Sequence, residues 1–282
     1  MRVFFPPELA SHEDFESWGN QTLKGQTELL RQLYFRRLRS EGNSDKLDRE
    51  LVRLVLEHAK RVIAHPSKPT YQKLESYLAR PMAEIAMEET LEESPLLQEP
   101  AEFLVETQWE KRFSCSAILD CSSSMSGDKH LLASIAVAVL LLEVPARDSS
   151  LVVFASEANT IKSMGSEEPA EMTVLKFLRA QPRGFTNIAK GLEVGLAEAR
   201  KTNGLRRVGL MATDGRSTEG GDPSAFAKLF DFLVVLHLHG PGSYLESSQQ
   251  LAHEGNGVCL EVETFEELPR RLYDALRWIA RR

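Results

Sequence analysis

At 282 residues, with 42% apolar and 27% charged residues, the chain has room for one large domain or two small ones and can bury a substantial core. A net charge of -7 excludes the clustered basic footprint of a nucleic-acid binder. Three cysteines, Cys115, Cys121 and Cys259, are too few and too irregularly spaced for a disulfide framework. The start, Met1-Arg2-Val3-Phe4-Phe5-Pro6-Pro7, lacks the apolar core and cleavage site of a signal peptide. No stretch reaches about 18 uninterrupted apolar residues. A cytoplasmic protein with reduced thiols, working off the membrane, is therefore expected.

In chain order, residues 1–20 combine a short apolar start with Glu13, Asp14 and Glu16, which suit the cap of a first helix. Thr22 to Arg39 reads as a helix with Leu23, Leu29, Leu30, Leu33, Tyr34 and Leu38 roughly on one face. After the breaker Glu41-Gly42-Asn43-Ser44, a second helix starts at Ser44 or Asp45 and runs to about His65, ended by Pro66. A third is expected from Thr70, interrupted at Pro81 and resuming to about Glu92. Residues 1–95 thus read as a helical N-terminal region, and 96–112 as an acidic connector with a possible edge strand from Phe103 to Trp109. Between Pro81 and Glu110 there are nine acidic residues and no Lys or Arg, either a solvated face or a dock for a basic surface.

From residue 113 the rhythm changes. Strands are expected at Ser114–Asp120, Leu151–Ala155, Asn159–Ser163, Arg207–Thr213, Phe232–Leu238 and Val258–Val262, the second and third forming a hairpin about Glu157-Ala158. Helices fall at Lys129–Val144, Glu171–Arg179, Asn187–Lys201, Ser224–Leu229, Leu245–Glu254 and from Thr264. The first of these is so apolar that it must be covered on most sides. The alternation predicts an α/β fold, a Rossmann-like, doubly wound, mostly parallel sheet, over residues 113–282. Ligands of such sheets bind beyond the carboxyl ends of the strands.

One such end is Ala117-Ile118-Leu119-Asp120-Cys121-Ser122-Ser123-Ser124-Met125-Ser126-Gly127-Asp128. An apolar strand stops at a carboxylate, and the alternation of Asp120, Ser122 and Ser124 lets a tight turn aim three side-chain oxygens into one volume. Two more polar turns belong at the same edge: Pro182-Arg183-Gly184-Phe185-Thr186-Asn187, with the hydroxyl of Thr186, and Met211-Ala212-Thr213-Asp214-Gly215, where a second apolar strand ends in a carboxylate. Oxygen-only donors suit a hard cation, Mg2+ first, with Mn2+ or Ca2+ as alternatives.

This constellation resembles the von Willebrand factor A (VWA) family and its metal-ion-dependent adhesion site (MIDAS), Asp-x-Ser-x-Ser followed by a distant Thr and a distant Asp. All five positions match, as Asp120, Ser122, Ser124, Thr186 and Asp214. Cys121 is a departure, since the family usually has an apolar residue there. The resemblance implies binding rather than turnover, with the open position of the metal accepting a Glu or Asp from a partner protein. A helical N-terminal region before such a domain further resembles cytosolic prokaryotic proteins paired with MoxR-type AAA+ ATPases, or the related subunit of magnesium chelatase. That implies an adaptor or cofactor role, with no nucleic acid and no membrane among the partners.

Other readings compete. Asp120 as the phosphoryl acceptor of a Mg2+-dependent phosphatase is the enzymatic alternative, but haloacid-dehalogenase-type enzymes resemble Asp-x-Asp and position 122 is serine. Neither a Gly-x-Ser-x-Gly elbow nor a P-loop is present. His237 and His239 flank Leu238 at a spacing zinc can use, with Cys259 as a distant third ligand, or are structural. His130, just past the serine turn, is a helix-start residue or approaches the metal edge.

Overall fold

The computed structural model describes residues 23–39, 45–62, 70–79, 85–93, 99, 102–110, 113–202, 205–265 and positions 267, 268, 271–273 and 275. The helix expected within residues 1–20 lies outside them. Helices α1 (Leu23–Arg39) and α2 (Asp45–Val62) come first, and α2 carries Asp45 and Asp48 in its first turn, where they complement the helix dipole. Strand β1 (Thr70–Ser76), helix α3 (Met87–Glu93) and strand β2 (Leu104–Glu110) follow. Then come β3 (Phe113–Asp120), α4 (Asp128–Glu143), β4 (Ser149–Phe154), β5 (Ala158–Lys162), α5 (Ala170–Arg179) and α6 (Ile188–Ala199). The chain continues through β6 (Arg206–Thr213), α7 (Ser224–Ala227), β7 (Phe232–Leu238), α8 (Leu245–Glu254) and β8 (Val258–Val262). Positions 268, 271–273 and 275 of the expected C-terminal helix are helical. No helix among the described residues is long and apolar enough to cross a membrane.

Two compact units result, Met1–Pro66 with Phe113–Ile279, and Ser67–Arg112 with Ala280–Arg282. In the smaller one, β1 and β2 pair antiparallel, Thr70 opposite Glu110 and Ser76 opposite Leu104. The helix expected from Thr70 is therefore a strand. Tyr71, Leu74 and Leu78 recur at helix-like spacing, but pairing with a strand that begins at Leu104 decides the conformation, and strand preference follows such context more than local sequence. Helix α3 docks on β2 through Thr90, whose hydroxyl donates to the Ala86 carbonyl at 2.6 Å and accepts the Leu104 amide at 2.9 Å.

The larger unit is a six-stranded sheet in the order β5-β4-β3-β6-β7-β8, parallel except for edge strand β5, which forms the expected hairpin with β4. Successive residues of β3 feed opposite faces. Ala117 and Leu119 join one core with α4 and α5, while Ile118 joins another with α6 and α8. Every residue of α4 from Lys129 to Leu140 is buried, which requires cover on the side away from the sheet. Helices α1 and α2 give that cover, bringing Leu29, Leu30, Leu33, Leu51, Leu54 and Val55 into the same core.

An ion-pair cluster fastens this cover. Asp48 accepts from Arg37 and from Arg179 Nε of α5, the latter at 2.7 Å, and Arg179 also bonds Asp45 at 2.8 Å. Arg37 in addition donates to the Leu178 carbonyl at 2.7 Å. Burial alone would raise the Asp48 pKa, but the bonds and charges of the two arginines outweigh it and hold the carboxyl below its ordinary 3.8. A depressed carboxyl contributes stability above its unfolded pKa and loses it as pH falls through the folded one. We expect Asp48→Asn to lower the unfolding free energy at pH 7 by about 3 kcal/mol. In urea titrations the gap from wild type should close below about pH 4, and a gap independent of pH would contradict the assignment.

Candidate metal centre

Strands β3 and β6 lie side by side in the middle of the sheet, and the crossovers that reach β4 and β6 leave on opposite faces through α4 and α6. A parallel sheet opens a crevice at such a switch point, beyond the strands' carboxyl ends. Both strands deliver a carboxylate there, Asp120 at the end of β3 and Asp214 just past β6, and both are 0% exposed.

Beyond Asp120 the chain makes a 3-10 turn, Ser123–Met125, anchored by buried Met125, and then enters α4. The Ser122 amide donates to Asp120 Oδ1 at 2.9 Å, and the hydroxyls of Ser122 and Ser124 lie 3.2 Å apart. From β6, the Thr213 hydroxyl donates to Asp120 Oδ2 at 2.8 Å and accepts the Gly215 amide at 3.1 Å. Asp214 Oδ1 accepts the Arg216 amide at 3.3 Å. Gly215 has φ 78°, and a Cβ there would sit 2.2 Å from the Tyr244 carbonyl, so only glycine fits this turn.

The third turn is laced to the other two. Arg183 N donates to the Cys121 carbonyl at 2.8 Å and Ser123 N to the Gly184 carbonyl at 3.2 Å. Gly184 takes φ 85°, a left-handed conformation that releases the chain toward Thr186. The Thr186 amide donates to the Thr218 hydroxyl at 2.8 Å, and its carbonyl accepts the Thr218 amide at 2.9 Å, joining this turn to the segment after Asp214. Asn187 then caps α6, its side chain accepting from Lys190 N at 3.0 Å. The five residues expected from the sequence thus lie on three mutually bonded turns at one sheet edge. Asp120, Ser122, Thr186 and Asp214 are buried, and Ser124 is exposed.

Burial pushes Asp120 up to about 6, and the charge of Asp214 adds to the rise while hydrogen bonds from Ser122 and Thr213 restrain it. Two groups at this edge escaped the sequence reading. In the sequence Thr213 reads only as context for Asp214, yet it orients Asp120. In the sequence Lys129 reads only as the first residue of an apolar helix, yet its ammonium lies 2.9 Å from Asp214 Oδ2 with the side chain 11% exposed. The available signal is a lysine at the start of a helix whose following residues are almost all apolar.

Two buried carboxylates flanked by hydroxyls fit a hard divalent ion such as Mg2+. Among the described residues no three His, Cys, Asp or Glu side chains group as a metal site, so any ion at this edge depends on the hydroxyls. His237 Nδ1 instead pairs with Ser248 Oγ at 2.9 Å, His239 Nε2 with Glu261 at 3.3 Å, and the two rings meet edge to face at 4.9 Å. His130 turns to α1 and α5, bonding Tyr34 Oη at 3.0 Å and stacking on Phe177 at 4.5 Å, and burial pushes it down to about 4. Burial pushes the Cys121 thiol up to about 12, which leaves it without thiolate character near neutral pH.

No family model matches the sequence, and no curated protein matches it. Solved structures do match. Proximal thread matrix protein 1 from the mussel byssus, described with a zinc-occupied MIDAS motif, aligns with TM-score 0.52 and 17% identity over 60% of this chain and 46% of its own. BatB from Bacteroides thetaiotaomicron aligns with TM-score 0.49 and 17% identity over 60% of this chain and all of its own (100%). A von Willebrand factor type A protein from Catenulispora acidiphila gives 0.48 and 13% over 61% and 43%. The chain has the von Willebrand factor A fold. In this VWA fold the strand-end turns of β3 and β6 form one hydrogen-bonded edge through Thr213. Thr213→Val should therefore destabilise the protein by about 2 kcal/mol in chemical denaturation, the scale of a hydrogen bond to a charged group. It should also weaken Mn2+ binding measured by calorimetry, and unchanged binding would show that Asp120 needs no such support.

Proposed function

We propose that the protein is a metal-dependent interaction module in which Asp120, Ser122, Ser124, Thr186 and Asp214 hold Mg2+, directly or through water, and a partner protein presents a Glu or Asp to the ion. The observation that carries this reading is the pair of buried carboxylates, Asp120 and Asp214, at adjacent strand ends, beside turns that carry Ser122, Ser124 and Thr186 and are hydrogen-bonded to one another. When bound, the ion supplies an electrophilic anchor for a carboxylate. The chain's own residues do the rest. Thr213 and the Ser122 amide fix Asp120, and Ser124 keeps the edge open to solvent. Around it stand exposed Phe185, next to Thr186, and exposed Tyr244, whose amide donates to the Asp214 carbonyl at 2.7 Å. Arg183 and Arg216 are exposed in the same turns. Aromatic and arginine side chains dominate binding hot spots, and they support a protein partner over a small metabolite.

In this reading the chain is a binder and not an enzyme, because position 122 offers a hydroxyl where a phosphatase needs an acid–base group. The zinc-occupied motif of the mussel protein supports metal binding as a property this fold carries, and it puts Zn2+ beside Mg2+ in any titration. We extend the proposal to an adaptor or cofactor of a MoxR-type AAA+ ATPase in the cytoplasm. What supports it is architecture. Arg31 of α1 holds Asp128 at the entrance of α4 with bonds of 2.9 and 3.2 Å, so the N-terminal helices offer a second contact surface joined to the metal turn.

Co-purification with a co-expressed MoxR-type ATPase is expected in Mg2+, and loss of the partner is expected in EDTA or in Asp214→Ala with the circular dichroism unchanged. Partner retained at wild-type level in EDTA would contradict the metal-dependent reading. Turnover of generic phosphoesters that disappears in Asp120→Asn would replace it with the phosphatase.

A further inference from the structure

Asp214 already has a cation beside it, and the protein supplies it. Lys129 stands on the second residue of α4, and its ammonium reaches Asp214 Oδ2 at 2.9 Å. The lysine is 9% exposed and Asp214 0%. Space is reserved for this contact at Gly240, beyond the end of β7. A Cβ there would fall 2.5 Å from Lys129 Cε and 2.9 Å from Nζ. Ordering a long side chain and drying its charge are both unfavourable, and the pairing with Asp214 offsets them. Among the described residues no other side chain bonds Lys129, whose bond to Asp214 runs into the edge where a metal would sit.

We propose that Lys129 is a built-in competitor for the divalent ion, which occupies Asp214 in the metal-free protein and makes firm metal capture depend on the partner's carboxylate. The inference rests on the metal reading above. With Asp120 and Asp214 ionised the site carries two negative charges, and Lys129 reduces the net to one. A divalent ion arriving beside Asp214 meets a cation on the same carboxylate and must share that group or displace it, so repulsion lowers the affinity. An acidic side chain from a partner restores the missing negative charge. Metal and partner therefore bind with positive coupling, each tightening the other. A merely structural lysine would behave differently, since its removal would lower stability equally with and without metal and leave the affinity unchanged.

The test is calorimetric titration of the full chain with Mn2+, comparing wild type, Lys129→Met and Lys129→Arg, together with thermal unfolding in EDTA and in saturating Mn2+. Lys129→Met should bind Mn2+ at least about tenfold tighter. Its Tm should fall below wild type in EDTA and rise further on adding Mn2+, while Lys129→Arg stays near wild type. If Lys129→Met does not fold, Lys129→Gln, which keeps a donor for Asp214 without the charge, replaces it with the same expectation. Binding by wild type with no gain in the neutral variants, or an equal loss of Tm with and without Mn2+, overturns the role of Lys129 and leaves the metal site standing. Absence of Mn2+ binding in wild type and all variants overturns both. Binding acquired only by the neutral variant supports the competitor directly.

Discussion

Two carboxylates buried at the ends of adjacent parallel strands are the constraint to which the rest of this edge answers. Burial disfavours the charge of Asp120, pushing it up to about 6, and the nearby charge of Asp214 adds to that cost. The chain offsets it with the Ser122 amide and Thr213 hydroxyl on Asp120, and with the Arg216 amide and Lys129 ammonium on Asp214. Glycine at 215 lets the backbone turn tightly enough to supply an amide. In the reading proposed above, a divalent ion beside the two carboxylates relieves that cost.

The same edge rests on the two N-terminal helices, which belong to the same compact unit as the sheet. Helix α4 starts from the serine turn and is buried from Lys129 to Leu140, so the metal turn is only as rigid as the cover on α4. Helices α1 and α2 supply that cover, and the ion pairs of Asp48 with Arg37 and Arg179 lock it to α5. Arg31 reaches Asp128 and also lies 4.8 Å above the Phe265 ring. Tyr34 reaches His130 from the same helix. Helix α1 thus contacts the residues on either side of Lys129, Asp128 and His130, which gives the helical surface and the sheet edge a physical connection.

Much of this was readable from sequence, because both signals involved are strong. Alternation of apolar strands with apolar helices marked the parallel sheet, and two such strands stopping at Asp120 and Asp214 marked its functional edge. The turn that carries Thr186 was legible through Gly184 before it and the helix cap Asn187 after it. The strand at Thr70 was not, since its identity comes from a partner beyond residue 100 rather than from its own pattern. Lys129 and Thr213 were missed for a related reason. A residue's charge is visible in sequence, but the carboxylate it bonds across 85 or 93 positions is set only by the register of β3 with β6 and the path of α4.

Crystals of the full chain grown with Mn2+, with anomalous diffraction recorded at the manganese edge, test the central claim most directly. The account predicts one strong peak at the carboxyl ends of β3 and β6, within direct or water-bridged reach of Asp120, Ser122, Ser124, Thr186 and Asp214. No peak at this edge in wild type and in Lys129→Met alike, or a peak held only by residues elsewhere, would contradict it.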